Sequence, residues 1–276
     1  MSMKTILRLL GIFMILDGVL SLLFGKTYLR PWRRLGGPIS VYISFLLRWP
    51  DWLIRVAGAG EAVVGARTFA ATRVQVSEIY GVFAPLYDPF LALWNATLAR
   101  GVDAAVDQAV SEYLPPGGRV LDLGCGTGAN LARLQRLGIP FSQYVGVDLT
   151  PRMLAVAQSK LGHLPNVTFL QRDLLRDPLP DGEFDLVIST WVFSHLGRKA
   201  DEVVEKARGR LKPGGHMVLL ISSRTDSWLD SLLKSIEKAI LAEPVPQELY
   251  LSFPGRVALQ RLAGGLATLV VLRKET

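Results

Sequence analysis

The run from Thr5 to Phe24 is apolar at nearly every position, broken only by Arg8 and Asp17. It reaches the length of a membrane-spanning helix, roughly 20 residues. A basic stretch, Lys26 to Arg34, and a shorter apolar piece, Ile39 to Leu47, follow it. A second helix is predicted from Trp52 to Ala71, rich in small residues, with Gly58, Ala62 and Ala66 four apart on one face. Such a face lets two helices approach closely. Arg55, Glu61 and Arg67 point about 120° apart around this helix, so it needs a partner for its charges. Asp17 on the first helix is the candidate for Arg55 or Arg67. The spacing Arg8-x-x-Gly11-x6-Gly18 recurs as Arg55-x-x-Gly58-x6-Gly65, a weak internal echo.

From Ser77 the pattern changes. Pro85 and Pro89 are expected to break the chain around Tyr87-Asp88. A long helix is then predicted, carried by Leu91, Trp94, Leu98, Val102, Ala105, Ala109 and Tyr113, and stopped by Pro115-Pro116-Gly117-Gly118. Short apolar runs follow at Arg119–Leu123, Tyr144–Asp148, Val167–Gln171, Phe184–Thr190, His216–Ser222 and Leu266–Arg273. Helical segments lie between most of them: Ala129–Leu137, Pro151–Leu161 with Thr150 as N-cap, Lys199–Leu211 and Asp226–Ala242. Alternation of this kind, with near-continuous apolar strands, predicts an α/β fold: a Rossmann-like, doubly wound, mostly parallel sheet over residues 76–276. An α-helical, membrane-associated region over residues 1–75 is expected to precede it.

Charge sharpens the division. The chain of 276 residues carries +7, and residues 1–79 hold ten of the basic and only four of the acidic side chains. A segment both basic and apolar suits anionic lipid headgroups, whereas nucleic-acid domains spread charge over a polar surface. A cleaved signal peptide is the rival, but Val19-Leu20-Ser21-Leu22-Leu23 offers no small-x-small site. A soluble helical cap is the other alternative. If both helices spanned, the basic loop would lie opposite the C-terminal domain. One span, or a shallow insertion, is therefore expected, with basic loop and C-terminal domain on the cytosolic face. A single cysteine, Cys125, excludes an intramolecular disulfide framework, and His163, His195 and His216 share no close metal-ligand spacing. No metal site is expected.

The chemistry concentrates in Val120-Leu121-Asp122-Leu123-Gly124-Cys125-Gly126-Thr127-Gly128-Ala129-Asn130. A buried strand runs into a glycine-rich turn that opens a helix, where free N–H groups and close backbone approach suit a ligand. The spacing is Gly-x-Gly-x-Gly rather than the dinucleotide Gly-x-Gly-x-x-Gly. Asp148 ends the next strand, where a carboxylate can accept both hydroxyls of a ribose. Taken alone, these features say "nucleoside ligand", with NAD enzymes as a competitor.

In order along the chain, VLDLGCGTG (120–128), VDLTPRML (147–154), Arg172-Asp173-Leu174, FDLVIST (184–190) and Leu211-Lys212-Pro213-Gly214-Gly215 resemble the motifs of class I S-adenosylmethionine (SAM)-dependent methyltransferases. The likeness covers roughly Tyr80 to Lys274. It implies that backbone around Gly124, Cys125, Gly126 and Gly128, with Asp122 beneath and Asn130 beyond, holds the methionine end of SAM. It implies that Asp148 takes the ribose hydroxyls, that Leu149, Met153 and Leu174 sandwich the adenine, and that Asp173 accepts from its amine. Thr190 and Trp191 would face the sulfonium and the acceptor. The Cys125 side chain itself reads as a small packing residue.

His195, after the fourth strand, could line the acceptor pocket as base or ligand, or be a structural histidine. Tyr80-x-x-x-Ala84-Pro85-Leu86-Tyr87-Asp88-x-Phe90 resembles the lead-in of bacterial phospholipid N-methyltransferases and related quinone-modifying members, which folds over the SAM pocket. Tyr80 and Tyr87 thereby join Trp191 and His195 as candidate catalytic residues. The expected acceptor is lipophilic: a headgroup amine, a quinone or phenol, or a thiol. A non-catalytic SAM-binding or assembly protein remains the alternative from another class. Nucleic acid is not expected as a partner: Ser189-Thr190-Trp191 stands where a base-modifying enzyme would carry an Asn/Asp-Pro-Pro-Tyr-like motif.

Overall fold

A computed structural model describes residues 3–35, 37–71, 75–223, 242 and 244–275. The chain folds as two compact units, Met1–Gln75 and Val76–Thr276.

In the first unit α1 (Met3–Phe24), α2 (Lys26–Leu29), α3 (Gly37–Leu46) and α4 (Asp51–Ala71) succeed one another. α1 and α4 form an antiparallel pair whose backbones touch. A Cβ on Gly18 would stand 2.4 Å from the Gly58 carbonyl oxygen, and one on Gly58 2.7 Å from that of Gly18. Gly11 and Gly65 face each other in the same way at 2.8 and 2.7 Å. The echoed glycines thus meet crosswise, and no side chain fits between them. The contact face of α4 runs through Gly58, Ala62, Gly65 and Phe69, while Ala66 is exposed. A helix of 3.6 residues per turn brings position i+7 back to the seam and rotates i+8 away from it.

The charges of this unit pair differently from expectation. Arg55 bonds Asp51 at 2.7 Å and donates to the carbonyls of Leu22 and Leu23 at 2.8 and 2.7 Å, capping α1. Asp17 instead accepts from the Tyr28 hydroxyl at 2.7 Å. Arg8 lies with its guanidinium 3.8 Å from the centre of the Phe69 ring, a cation–π contact. The sequence could not assign these partners because they depend on how the loop folds back along α1.

The second unit opens with α5 (Val76–Thr97) and α6 (Val102–Tyr113). Pro85 and Pro89 lie inside α5 and do not end it. Its aromatic side chains interlock at helical spacing, Tyr80–Tyr87, Phe83–Tyr87, Phe83–Phe90 and Phe90–Trp94, and this packing outweighs the carbonyls left without N–H partners. The break falls instead between Thr97 and Val102, at Gly101 with φ 82°. What the pattern read as one long helix from Leu91 is therefore two.

The sheet follows, with β1 (Gly118–Leu123), α7 (Ala129–Leu137), β2 (Phe141–Asp148), α8 (Pro151–Leu161), β3 (Val167–Gln171), β4 (Phe184–Thr190), α9 (Ala200–Arg208) and β5 (Leu211–Ser222). A short α10 (Gln247–Ser252), β6 (Arg256–Leu262) and β7 (Ala267–Arg273) complete it. The strand order is β3-β2-β1-β4-β5-β7-β6, with the first five parallel and β7 antiparallel to both neighbours. The helix predicted over 226–242 falls almost wholly outside the described residues. Thr150 holds the N-cap position of α8 with extended backbone but makes no side-chain cap bond, Pro151 supplying the first turn.

Successive strand residues feed two cores. Leu121, Leu123, Val145, Val187 and Leu219 pack with Val203 and Val204 of α9, while Val120, Tyr144, Leu186, Ile188 and Leu220 pack with Val106 and Val110 of α6 and Leu131 of α7. Each such fully buried Leu or Val is worth about 1.5–3 kcal/mol. The chain direction reverses its course across the sheet between β1 and β4. The crevice at the carboxyl ends of those two strands is where an open α/β sheet places its ligand.

Gly18→Val is expected to force α1 and α4 apart, lowering the stability of the first unit by about 1–3 kcal/mol. Gly60→Ala, where an added Cβ meets nothing within 4 Å inside α4, should instead stabilise by up to about 1 kcal/mol. Thermal unfolding of both variants followed by helical circular dichroism checks the pair.

Candidate active site

At that crevice lies a cavity of about 250 Å³. Its floor is the turn after β1. Gly124, Gly126 and Gly128 have φ of 71°, 53° and 87°, the left-handed region. At Gly124 two constraints coincide, because a Cβ there would also stand 2.2 Å from a Val192 methyl carbon.

The turn is tied to its neighbours by carboxylates. Asp148, at the end of β2, accepts from the backbone N–H of Gly126 at 2.9 Å and of Thr150 at 2.7 Å. Burial raises its pKa, and those two N–H groups pull it back. Asp122 is fully buried beneath the turn, where it accepts from the Tyr144 hydroxyl at 2.5 Å and from Asn130 Nδ2 at 3.1 Å. Asn130 Nδ2 also reaches Thr190 Oγ1 at 3.2 Å, and Arg133 donates to Asn130 Oδ1. Burial pushes Asp122 up to about 6 despite these donors. From α5, Asp88 accepts from Thr127 Oγ1 and from Lys160 Nζ, both at 2.5 Å, pinning α5 to the turn and to α8.

The far wall is aromatic. Tyr80 and Tyr87 reach the cavity from α5, and Trp191, Val192, His195 and Leu196 come from the segment after β4. The Tyr80 hydroxyl lies 2.9 Å from His195 Nε2, and the two rings meet edge to face at 5.3 Å. Tyr80 and Tyr87 pack edge to face in turn. Burial, reinforced by nearby Asp148, pushes Tyr87 up to about 12 and raises Tyr80 as well, so both phenols hold their protons at neutral pH. Trp191 has φ 66°, a costly conformation for a large side chain. It is held there by its N–H bond to the Leu220 carbonyl, by Ser194 Oγ donating to its own carbonyl at 2.6 Å, and by an edge contact with Trp94.

Of the residues singled out from sequence, Gly124, Gly126, Asp148, Leu149, Met153, Asp173, Leu174, Thr190, Tyr80, Tyr87, Trp191 and His195 share this one cavity. Asp122, Cys125, Gly128 and Asn130 stand behind it. Cys125 is buried with its sulfur against Gly146, and burial raises its thiol pKa well above the ordinary value, which makes it a packing group. Asp173 lies on the wall with Oδ1 already accepting from the Leu175 N–H at 2.9 Å. Val76, Thr150, Leu175, Val192 and Leu196 also line the cavity and were not singled out. They are ordinary apolar or small residues whose place depends on tertiary contact alone.

Residues 120–215 match the family model described as a methyltransferase domain. A curated relative from Pseudomonas putida (strain GB-1), the ubiquinone/menaquinone biosynthesis C-methyltransferase UbiE, is 32% identical over 162 residues, which are 57% of this chain and 61% of the relative. The chain therefore spans about six tenths of the length of that relative. Two solved structures share the fold. Human N-acetylserotonin methyltransferase in complex with SAM is 21% identical with a TM-score of 0.58, covering 85% of this chain and 70% of that one. A SAM-dependent methyltransferase from Mesorhizobium loti is 20% identical with a TM-score of 0.51, covering 60% and 96%.

Asp122 yields a pH prediction. Its folded pKa lies above the ordinary carboxylate value of 3.8, so the folded state binds the proton more tightly than the unfolded chain. Stability contributed here is present below about pH 4 and is lost as pH rises to about 6, by about 3 kcal/mol. Asp122→Asn, which cannot ionise, should therefore lose this slope: its melting temperature should fall less than that of the wild type between pH 4 and 7 by calorimetry, whatever the loss from setting its NH2 against one of the two donors.

Proposed function

We propose, from the match of residues 120–215 to a methyltransferase domain and the likeness to the UbiE relative, that the protein is a class I SAM-dependent methyltransferase that methylates a lipophilic phenol or quinol at a membrane surface. The observation that carries the reading is the two-ended cavity. One end offers what SAM requires: a backbone cradle at Gly124, where a side chain has no room, and at Gly126, whose left-handed backbone favours glycine, with the Asp148 carboxylate for two ribose hydroxyls, and Leu149, Met153 and Leu174 for the adenine faces. The other end is walled by Tyr80, Tyr87, Trp191, Val192, His195 and Leu196. Among the described lining residues the carboxylates, Asp148 and Asp173, both belong to the nucleoside end. A cationic amine would find no counter-charge at the acceptor end, whereas a flat hydroxylated ring finds stacking faces and hydrogen-bond partners. The name of the UbiE relative agrees with such an acceptor.

Bound SAM supplies an electrophilic methyl group. The protein's part is to align the acceptor with it and to exclude water. Asp148 would hold the sugar, and the backbone at Gly124 and Gly126 would receive the methionine end. Thr190, fixed through Asn130 to Asp122, sets the floor between the two ends, and Trp191 closes the acceptor side.

The first unit supports membrane attachment. Ile6–Phe24 is long and apolar enough to cross a membrane, and it is mostly exposed where a core helix would be buried. Among the described residues, most exposed large hydrophobic side chains lie in this unit, including Leu10, Phe13, Leu16, Phe24, Tyr42, Trp52, Val56 and Val63. α4 is fastened along α1 through the glycine seam, so it accompanies α1 to the membrane surface. The Tyr28–Asp17 bond folds the basic stretch back along α1, which supports one span or a shallow insertion with Lys26–Arg34 among anionic headgroups on the cytosolic face.

Asp148→Ala should weaken SAM binding about 10- to 100-fold by calorimetry, the worth of hydrogen bonds to a charged group. Unchanged affinity would remove the cofactor assignment. The full chain should float with anionic vesicles while a chain beginning at Val76 stays behind. With labelled methyl donor and a total lipid extract, the label should enter the quinol fraction.

A further inference from the structure

We infer that Tyr80 and His195 act as one proton-accepting pair for the acceptor, an assignment that rests on the methyltransferase reading above. Both side chains line the acceptor end of the cavity, and Tyr80 Oη lies 2.9 Å from His195 Nε2. They come from elements far apart in sequence, α5 and the turn of 3-10 helix Phe193–His195 after β4. The carbonyl of Val192 accepts from the His195 N–H at 2.9 Å, which fixes the imidazole's backbone. A packing contact alone would not require a tyrosine hydroxyl and an imidazole nitrogen to meet in line at the wall of a cavity.

A phenol at neutral pH keeps its proton and is a weak nucleophile, so a group must take that proton as the new bond forms. Tyr80, still protonated, donates to Nε2, which leaves its oxygen lone pairs toward the cavity. The acceptor O–H bond breaks as its proton passes to Tyr80 Oη, and Tyr80's own proton passes to His195 Nε2. The acceptor's freed electron pair forms the bond to the methyl carbon, the carbon–sulfur bond breaks, and sulfur keeps that pair. The positive charge that began on the sulfonium ends on the imidazolium. If the ring carbon rather than the oxygen takes the methyl, the ring hydrogen leaves as a proton and reprotonates the oxygen, and the balance is the same. The other titratable groups around the pair, among the described residues, are Tyr87 beside Tyr80 and Asp148 at the end of β2. A negative Asp148 favours the imidazolium once formed.

The test uses the full chain with two phenols of similar shape: an alkyl hydroquinone, protonated at pH 7, and a nitro-substituted phenol, already ionised. Tyr80→Phe and His195→Gln should each lose about a hundredfold in kcat on the hydroquinone and no more than a few-fold on the ionised phenol. Raising the pH should restore the hydroquinone rate toward that of the wild type. SAM affinity by calorimetry should be unchanged in both variants. The ¹⁵N signal of His195 should move when Tyr80 becomes Phe. Equal losses on the two phenols, or no loss on the hydroquinone, would overturn the pair. Absence of methyl transfer by the wild type to either phenol, with SAM bound, would instead count against the acceptor class.

Discussion

The carboxyl of Asp122 sits with no solvent contact at the end of β1, and the geometry of the site is built around it. Its two oxygens join β2 through Tyr144 and α7 through Asn130, and Asn130 carries the link on to Thr190 of β4. Three strands and a helix are thereby locked together directly under the turn that must hold still for a ligand. Burying a carboxyl is costly unless its lone pairs are met, and here both are met by donors from separate elements. The cost is the reason the arrangement is specific: a shifted strand would leave the group unsatisfied. The backbone above, with glycines in the left-handed region, inherits its position from this buried node.

Much of this was legible because it is local. A strand of apolar residues, a turn with glycine at alternate positions and a helix start are written consecutively in residues 120–130, and the fold needs nothing distant to shape them. Asp148 was legible for the same reason, since it closes a recognisable strand. What escaped was set by contacts between residues far apart in the chain. Val192 fills the space that keeps Gly124 free of a side chain, yet valine after a strand carries no signal of that duty. The prolines of α5 read locally as breaks, and only the interlocked aromatic rings of Phe83, Tyr87, Phe90 and Trp94 show why the helix continues. The pairing of Tyr80 with His195 likewise joins two segments that the sequence could only nominate separately.

The N-terminal unit teaches the same lesson from another side. Its glycines announce close approach, and Gly58 and Ala62 lie in the seam as spaced, but a second step of four carries Ala66 off the helix face while a step of seven brings Gly65 back to it. Its charges were expected to meet across the two helices. They instead satisfy helix ends and loop residues, as Arg55 does at the last carbonyls of α1. Small residues are read by their size, which the sequence gives directly, whereas long polar side chains choose among several partners once the loops are placed.

One strand had no forewarning at all. β6 (Arg256–Leu262) pairs only with β7, and its side chains stay largely in solvent, so no apolar rhythm marks it. Strands on a sheet's margin expose unmatched N–H and C=O groups that could recruit another molecule's strand. Here Arg256, Gln260 and Arg261 crowd that margin, and a second chain laid alongside would have to bury or repel their charge. The two arginines thereby guard an edge on which Val257 and Leu259 are themselves exposed, and oppose an eighth strand beside the seven described.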